Sequence, residues 1–228
     1  MVEHTVRIFD AELQALRQKV TDMGRITERQ FVDAIQALSK RDLDLAQKVK
    51  EADDAVDALQ LEIETKMVDL TARRQPVAVD LRALVGAMRI AIDLERIGDL
   101  SVNIAKRVAT LSHERWPNEV TISLRHMAKE VTKQLLHVLD SYIRGDAAQA
   151  VTVWQNDEEI DALNTALFRE LLTYMMADAR SINYATHLIF CAKNIERVGD
   201  HATNIAESVY YIAQGHTISG ERPKGHIV

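Results

Sequence analysis

The sequence holds one cysteine, three prolines and eight glycines in 228 residues, and aromatics make up only 5%. Each scarcity excludes something. The lone Cys191 rules out an internal disulfide framework and fits a reducing compartment. So few prolines and glycines leave too little turn chemistry for a sandwich or barrel of many short strands. No apolar run approaches the ~20 residues that span a bilayer. The first stretch, MVEHTVRIFDAELQAL, has no apolar core of a secretory signal. No secretory signal and no membrane-spanning segment are expected. An excess of positive charge is also missing. The chain carries 28 Lys and Arg against 34 Asp and Glu, a net −6, so no nucleic-acid partner is expected.

Recognisable catalytic sets are absent too. There is no GxxxxGK[ST], no GxGxxG and no GxSxG. None of the eight histidines follows a Glu by three positions, so the Glu-x-x-His of a ferritin-like di-iron core is missing. Nothing marks a catalytic acid, base or nucleophile, and the chain is not expected to be an enzyme.

What is there is helix. With 47% hydrophobic and 27% charged residues, a packed core is expected rather than disorder. Breaks at Asp42, Pro76, Pro117, Gly145-Asp146 and Ser181 leave six long periodic segments, about 4–39, 42–72, 77–111, 118–144, 146–179 and 182–214. Leu45, Val49, Ala52, Val56, Leu59 and Ile63 recur at four and three residues, a coiled-coil-like seam. The tail GHTISGERPKGHIV has no periodicity and is read as mobile.

The chain also repeats itself. LERIGDLSVNIAKRV (94–108) is answered by IERVGDHATNIAESV (195–209), and EADDAVDAL (51–59) by QNDEEIDAL (155–163). A D-x-x-x-D therefore precedes an E-R-x-G-D-x-x-x-N by about forty residues, twice. The expected fold is all-α, two tandem three-helix bundles. The first repeat covers 1–112, the second 113–214, and the tail 215–228.

At ~100° per residue, Glu95, Asp99 and Asn103 share one helix face. Leu81, Leu84, Val85, Met88 and Ile92 continue that line as an apolar stripe. In the second copy Ile182, Ala185 and Ile189 lead into Glu196, Asp200 and Asn204, with Lys193 interrupting. Carboxylates at the rim of a core need cations. Asp53 and Asp57 are placed to face Glu95 and Asp99 across a helix groove, as are Asp157 and Asp161 to face Glu196 and Asp200. Such oxygen-only clusters suit Mg, Ca, Mn or iron. The competing reading is a plain ion-pair network through Arg96 and Arg197. Other residues receive blander readings. Gly98 and Gly199 mark close helix approach before ligand access. Arg82, Arg89 and Arg96 form salt bridges before a phosphate site. His201 points away from Asp200 and is a doubtful ligand, and Trp116 and Trp154 are packing residues.

Two three-helix repeats, each with D-x-x-x-D followed by E-R-[IV]-G-D-x-x-x-N-I-A, resemble the PhoU family, accessory proteins of the bacterial phosphate-specific transport system. RRQPVAVDLR (73–82) is similar to that family's link between second and third helices. The resemblance runs from Phe9 to about Ala213. It implies a six-helix, two-bundle protein, often a homodimer. It implies multinuclear clusters of divalent or trivalent ions (iron, manganese, magnesium or zinc). By position their ligands are Asp53, Asp57, Glu95 and Asp99, then Asp157, Asp161, Glu196 and Asp200, with Asn103 and Asn204 as adjuncts. It further implies a cytoplasmic negative regulator, meeting the membrane only through partners, that links the phosphate ABC transporter ATPase to a phosphate-sensing histidine kinase. Such a regulator keeps starvation signalling off when phosphate is plentiful. The alternative is a metalloenzyme whose carboxylate cluster activates water against phosphate esters.

Overall fold

A computed structural model describes residues 2–220, without the side chains of residues 2–8 and 157. It is 90% helical, far above the ~30–35% of an ordinary globular domain. The helices are α1 (Val2–Lys40), α2 (Leu43–Arg74), α3 (Val79–Leu111), α4 (Asn118–Arg144), α5 (Ala147–Gln155), α6 (Asp157–Ala177) and α7 (Ile182–Gln214). A 3-10 turn, Ala179–Ser181, precedes α7, and no strand occurs among the described residues.

The stops follow local chemistry. Asp42 caps α2 by accepting from the Leu45 N–H at 2.9 Å, and Asp146 caps α5 by accepting from Ala148 and Gln149 at 3.0 Å. Gly145 and Gly215 end α4 and α7 at φ 68° and 82°, a backbone shape other residues adopt reluctantly. One boundary departs from the expectation. The segment read as a single helix over 146–179 breaks at Asn156, whose N–H turns back to the Val153 carbonyl at 3.2 Å. Acid-rich Asp157, Glu158 and Glu159 then open α6, where the helix dipole favours negative charge. Six rods result, the fifth of them in two pieces.

Helices α1, α2 and α3 pack on one another, and α4 packs with α5, α6 and α7. In α1 the buried residues Leu16, Val20, Met23, Phe31, Ala34 and Leu38 keep helical spacing. In α2 full burial falls on Val49, Val56, Ile63 and Leu70, one per two turns, so this helix lends only a narrow seam. The two groups meet where α3 packs on α7 and α1 on α4, and they share one contiguous core. Gly86 permits the close approach of α3 to α7. A Cβ there would sit 2.3 Å from Ile212 Cγ1. After α7, Ile218 packs against the core and the His216 ring lies edge-on to Tyr210. Residues 221–228 of the tail lie outside the described residues.

Candidate metal centre

The acidic line on α3 lies on the flank of the core, not within it. Leu84 is fully buried, but Leu81 and Ile92 are about two-fifths exposed, at 41% and 38%. The stripe read as apolar is therefore a half-wet edge, and Glu95 and Asp99 continue it half-buried. Asn103 is exposed. In the second copy the line runs deeper. Ile182 is exposed, but Ala185 is buried and Glu196 is 8% exposed.

Across the α2–α3 groove the first four carboxylates feel one another. Burial pushes the Asp53 carboxyl above its ordinary range; the Gln30 amide draws it back; Asp57 and Asp99 push it up again. Burial also raises Glu95, and Asp99, Asp57 and Asp53 add to the rise while Arg96 opposes it. In the second copy burial raises Glu196, Lys193 lowers it, and Asp200 and Asp161 raise it. Thus Asp53, Asp57, Glu95 and Asp99 lie within electrostatic reach of one another, as do Asp161, Glu196 and Asp200. Asp157 is the first residue of α6, and its side chain lies outside the described set.

Cations partly answer these charges. Arg96 lies 3.4 Å from Glu95 and 3.3 Å from Asp99, and Lys193 donates to Glu196 at 2.7 Å. Among the described residues no three His, Cys, Asp or Glu side chains already converge as a ligand set. Ligation therefore requires the carboxylates to turn away from Arg96 and Lys193. The donors nevertheless suit a hard cation. Each is an oxygen, and burial together with repulsion from neighbouring carboxylates disfavours the charged forms of Asp53, Glu95 and Glu196, a cost that a cation relieves. Gly98 lets α3 approach these groups closely: a Cβ there would lie 3.1 Å from Asp53 Oδ1 and 3.2 Å from Gln30 Oε1.

Asn204 turns elsewhere. Its amide donates to Asp93 on α3 at 3.3 Å, beside a 2.8 Å contact between His201 Nδ1 and the same carboxylate. The basic row also divides. Arg96 pairs with acids, Arg89 stands over the Tyr211 ring, and Arg82 packs against Gly215. Trp116 and Trp154 are buried, and their ring N–H groups donate to Thr121 and Glu207. Gln30, which donates to Asp53 Oδ1 at 3.0 Å, is a neighbour of the first group of acids that the sequence reading missed. The available signal was a polar residue at a core position of each repeat's first helix, Gln30 and Gln134, each 23 residues before Asp53 and Asp157.

The raised carboxyls predict a pH dependence for the metal-free protein. A raised folded pKa gives stability that is full below the ordinary value and is lost as pH rises through the folded value. Asp53, Glu95 and Glu196 have ordinary values of 3.8, 4.5 and 4.5. Acidification from neutral pH toward the region just above 4.5 should therefore stabilise the protein, by roughly 0.2–1 kcal/mol per part-exposed group. Further acidification reverses this, because Lys133 and Arg180 hold Glu130 and Asp178 below the ordinary range. Urea melts in chelator at pH 7.5 and 5.5 check the sign. A lower midpoint at pH 5.5 would show that the carboxylates are already well compensated.

An all-helical chain of two joined three-rod groups, each with acids gathered between its second and third rods, defines the class. The PhoU domain family matches residues 20–108 and again 124–209. The chain belongs to the PhoU family. It is 48% identical over 221 residues to the phosphate-specific transport system accessory protein PhoU homolog of Rhizobium meliloti (strain 1021), covering 97% of this chain and 93% of that one. The protein of the same name from Caulobacter vibrioides (strain NA1000 / CB15N) is 49% identical over 224 residues, 98% and 97% of the two chains. The crystal structure of PhoU from Pseudomonas aeruginosa superposes with a TM-score of 0.88 at 39% identity, over 91% of this chain and 100% of that one. The phosphate transport system regulatory protein PhoU from Streptococcus pneumoniae gives 0.85 at 30% identity, over 92% and 99%.

Proposed function

We propose that this protein regulates phosphate uptake and phosphate signalling as an adaptor. It is a cytoplasmic homodimer that contacts the ATPase of the phosphate ABC transporter and a phosphate-sensing histidine kinase, and it keeps starvation signalling off when phosphate is plentiful. The observation that carries this reading is the doubled family match, with relatives along nearly the whole chain named for phosphate-specific transport. Among the described residues no helix is long and apolar enough to cross a membrane, in keeping with a protein that reaches the transporter from outside the bilayer.

The two acidic clusters bind hard metal ions in this reading. Asp53, Asp57, Glu95 and Asp99 hold the first, and Asp157, Asp161, Glu196 and Asp200 the second. A bound cation supplies the positive charge that these carboxylates lack. The chain's own residues do the rest. Oxygen donors on α2 and α3, and on α6 and α7, lie on neighbouring rods, so engaging them together fixes the spacing of the rods. A fixed double bundle then offers partners one rigid surface. Regulation follows if the transporter's phosphate-rich and phosphate-poor states bind that surface with different affinity, since only differential affinity shifts an equilibrium.

Affinity capture of the transporter ATPase and the kinase on the purified protein, with and without chelator, tests partner and metal together. Both partners should be retained, and chelator should weaken retention. Retention of neither, with metal-dependent turnover of a phosphate ester, would favour the metalloenzyme instead.

A further inference from the structure

A cavity of about 590 Å³ lies where the two repeats meet. That volume is in the range of sites for small organic molecules. Rods of both repeats wall it. Leu13 comes from α1, Ala83 and Ala87 from α3, Tyr142 and Ile143 from α4, and Ile212 from α7. Apart from one ring this wall is aliphatic. Ala83 and Ala87 stand one turn apart on α3 and leave space that larger side chains would fill.

One side of the cavity is charged. Arg17, Thr21 and Arg25 stand one turn apart on one face of α1, and all three line it. Arg17 is held in place without being neutralised. Its Nη2 donates to the Tyr142 carbonyl at 2.9 Å, and its guanidinium stands 5.4 Å from the centre of the Tyr142 ring. Tyr142 is 4% exposed, so this anchor belongs to the core. Among the described residues no carboxylate pairs with Arg17, and most of the guanidinium's N–H donors remain free. Arg25 is only loosely answered, 3.6 Å from Asp22. Asp10, the one acid among the described lining residues, precedes Arg17 by about 10 Å along the helix. The Arg17 and Arg25 side is therefore a cationic edge on an aliphatic hollow. That pairing fits a molecule with an anionic head and an aliphatic body; neither inorganic phosphate nor a plain hydrocarbon uses both halves.

We propose that this cavity binds a small aliphatic anion, its head on Arg17 and Arg25 and its chain along Leu13, Ala83, Ala87 and Ile212. None of the acids of the candidate metal centre lines the cavity, so the two sites are separate. A molecule held here touches α1 and α3 of the first repeat and α4 and α7 of the second. Its occupancy favours the packed junction of the repeats by mass action. That gives the double bundle an input of its own, read at the junction and not through a partner protein.

The test uses full-length protein and calorimetry, with octyl phosphate and octanoate as probes below their micelle-forming concentrations. At least one of the two should bind once per chain, and the tighter names the head group. Octanol, with the chain but no charge, should bind about tenfold or more weakly, the scale of losing a hydrogen bond to a charged group. Inorganic phosphate, a head without the chain, should not bind. Two variants place the site, each checked for folding by circular dichroism. Arg17→Met keeps side-chain length and removes the charge, and should bring the tighter anion down to the affinity of octanol. Ala83→Leu fills the hollow at a part-exposed position and should weaken every chained probe by about tenfold or more. It serves even where Arg17→Met does not fold. Wild-type protein that binds neither anion at millimolar concentration overturns the proposal. So does anion binding that both folded variants keep unchanged, because the molecule would then sit elsewhere. Octanol bound as tightly as the anions, or inorganic phosphate bound as tightly as octyl phosphate, also overturns it, since one half of the site would be idle.

Discussion

The double variant Asp99→Ala, Asp200→Ala should lose most of the metal that the wild-type protein binds, and each single variant should lose part. Asp99 stands where the repulsions meet. It raises both Asp53 and Glu95, and Asp200 raises Glu196 in the second cluster. Removing either leaves the cluster one oxygen donor short. It also leaves Arg96 and Lys193 relatively stronger competitors for the remaining carboxylates. Loss of a direct donor should cost at least the 10–100-fold in affinity that loss of an outer-shell partner costs. Stability offers a second readout with opposite signs. In chelator the variant should melt no lower than wild type, because a repelling charge has gone. At metal concentrations of about 100 times the dissociation constant, wild type should gain roughly 2.7 kcal/mol that the variant does not. Elemental analysis and paired melts decide the matter. A double variant with wild-type metal content would make the acids ion-pair partners only.

Deleting the gene should leave phosphate-starvation genes expressed in phosphate-rich medium. The proposed adaptor is what holds the kinase in its inhibitory state, so without it the kinase has no report of a satisfied transporter. No phosphatase activity should disappear from the extract, because the proposed adaptor acts by contact with its partners and not by turnover. The effect is expected to be nearly all-or-none. A partner's differential affinity of about 5.5 kcal/mol is needed to drive a two-state equilibrium from 1:99 to 99:1, and removing the partner forfeits all of it.

The rods were legible in the sequence because helical period is written along tens of residues and interruptions are few. Asp42, Gly145 and Asp146 act in the structure as their chemistry indicates. The break at Asn156 escaped because no glycine or proline marks it. Its trace was the acidic run Asp157-Glu158-Glu159, a helix-start signal overlooked inside an apolar period. A helical wheel groups Leu81 and Ile92 with Glu95 and Asp99 correctly but does not say how far that face is covered. That depends on α1 and α2, whose placement is a tertiary matter. That Asp53 and Asp57 on α2 come within electrostatic reach of Glu95 and Asp99 on α3 was readable, since D-x-x-x-D and E-x-x-x-D each hold one face and the repeat states the pair twice. The turn of Asn204 toward Asp93 was not, because it arises only where α3 of one repeat packs on α7 of the other. Gln30 escaped for a related reason. A polar residue at a core position on the first rod acquires meaning once it is seen to donate to Asp53 on the second.

Expression of a phosphate-starvation reporter in phosphate-rich medium tests the central claim most directly. The measurement uses a deletion strain carrying either the wild-type chain or the Asp99→Ala, Asp200→Ala chain at equal protein levels. The account predicts that wild type silences the reporter and that the double variant leaves it on. A reporter silent in the deletion strain itself would contradict the adaptor role. One silenced equally by both chains would contradict the dependence of that role on the acidic clusters.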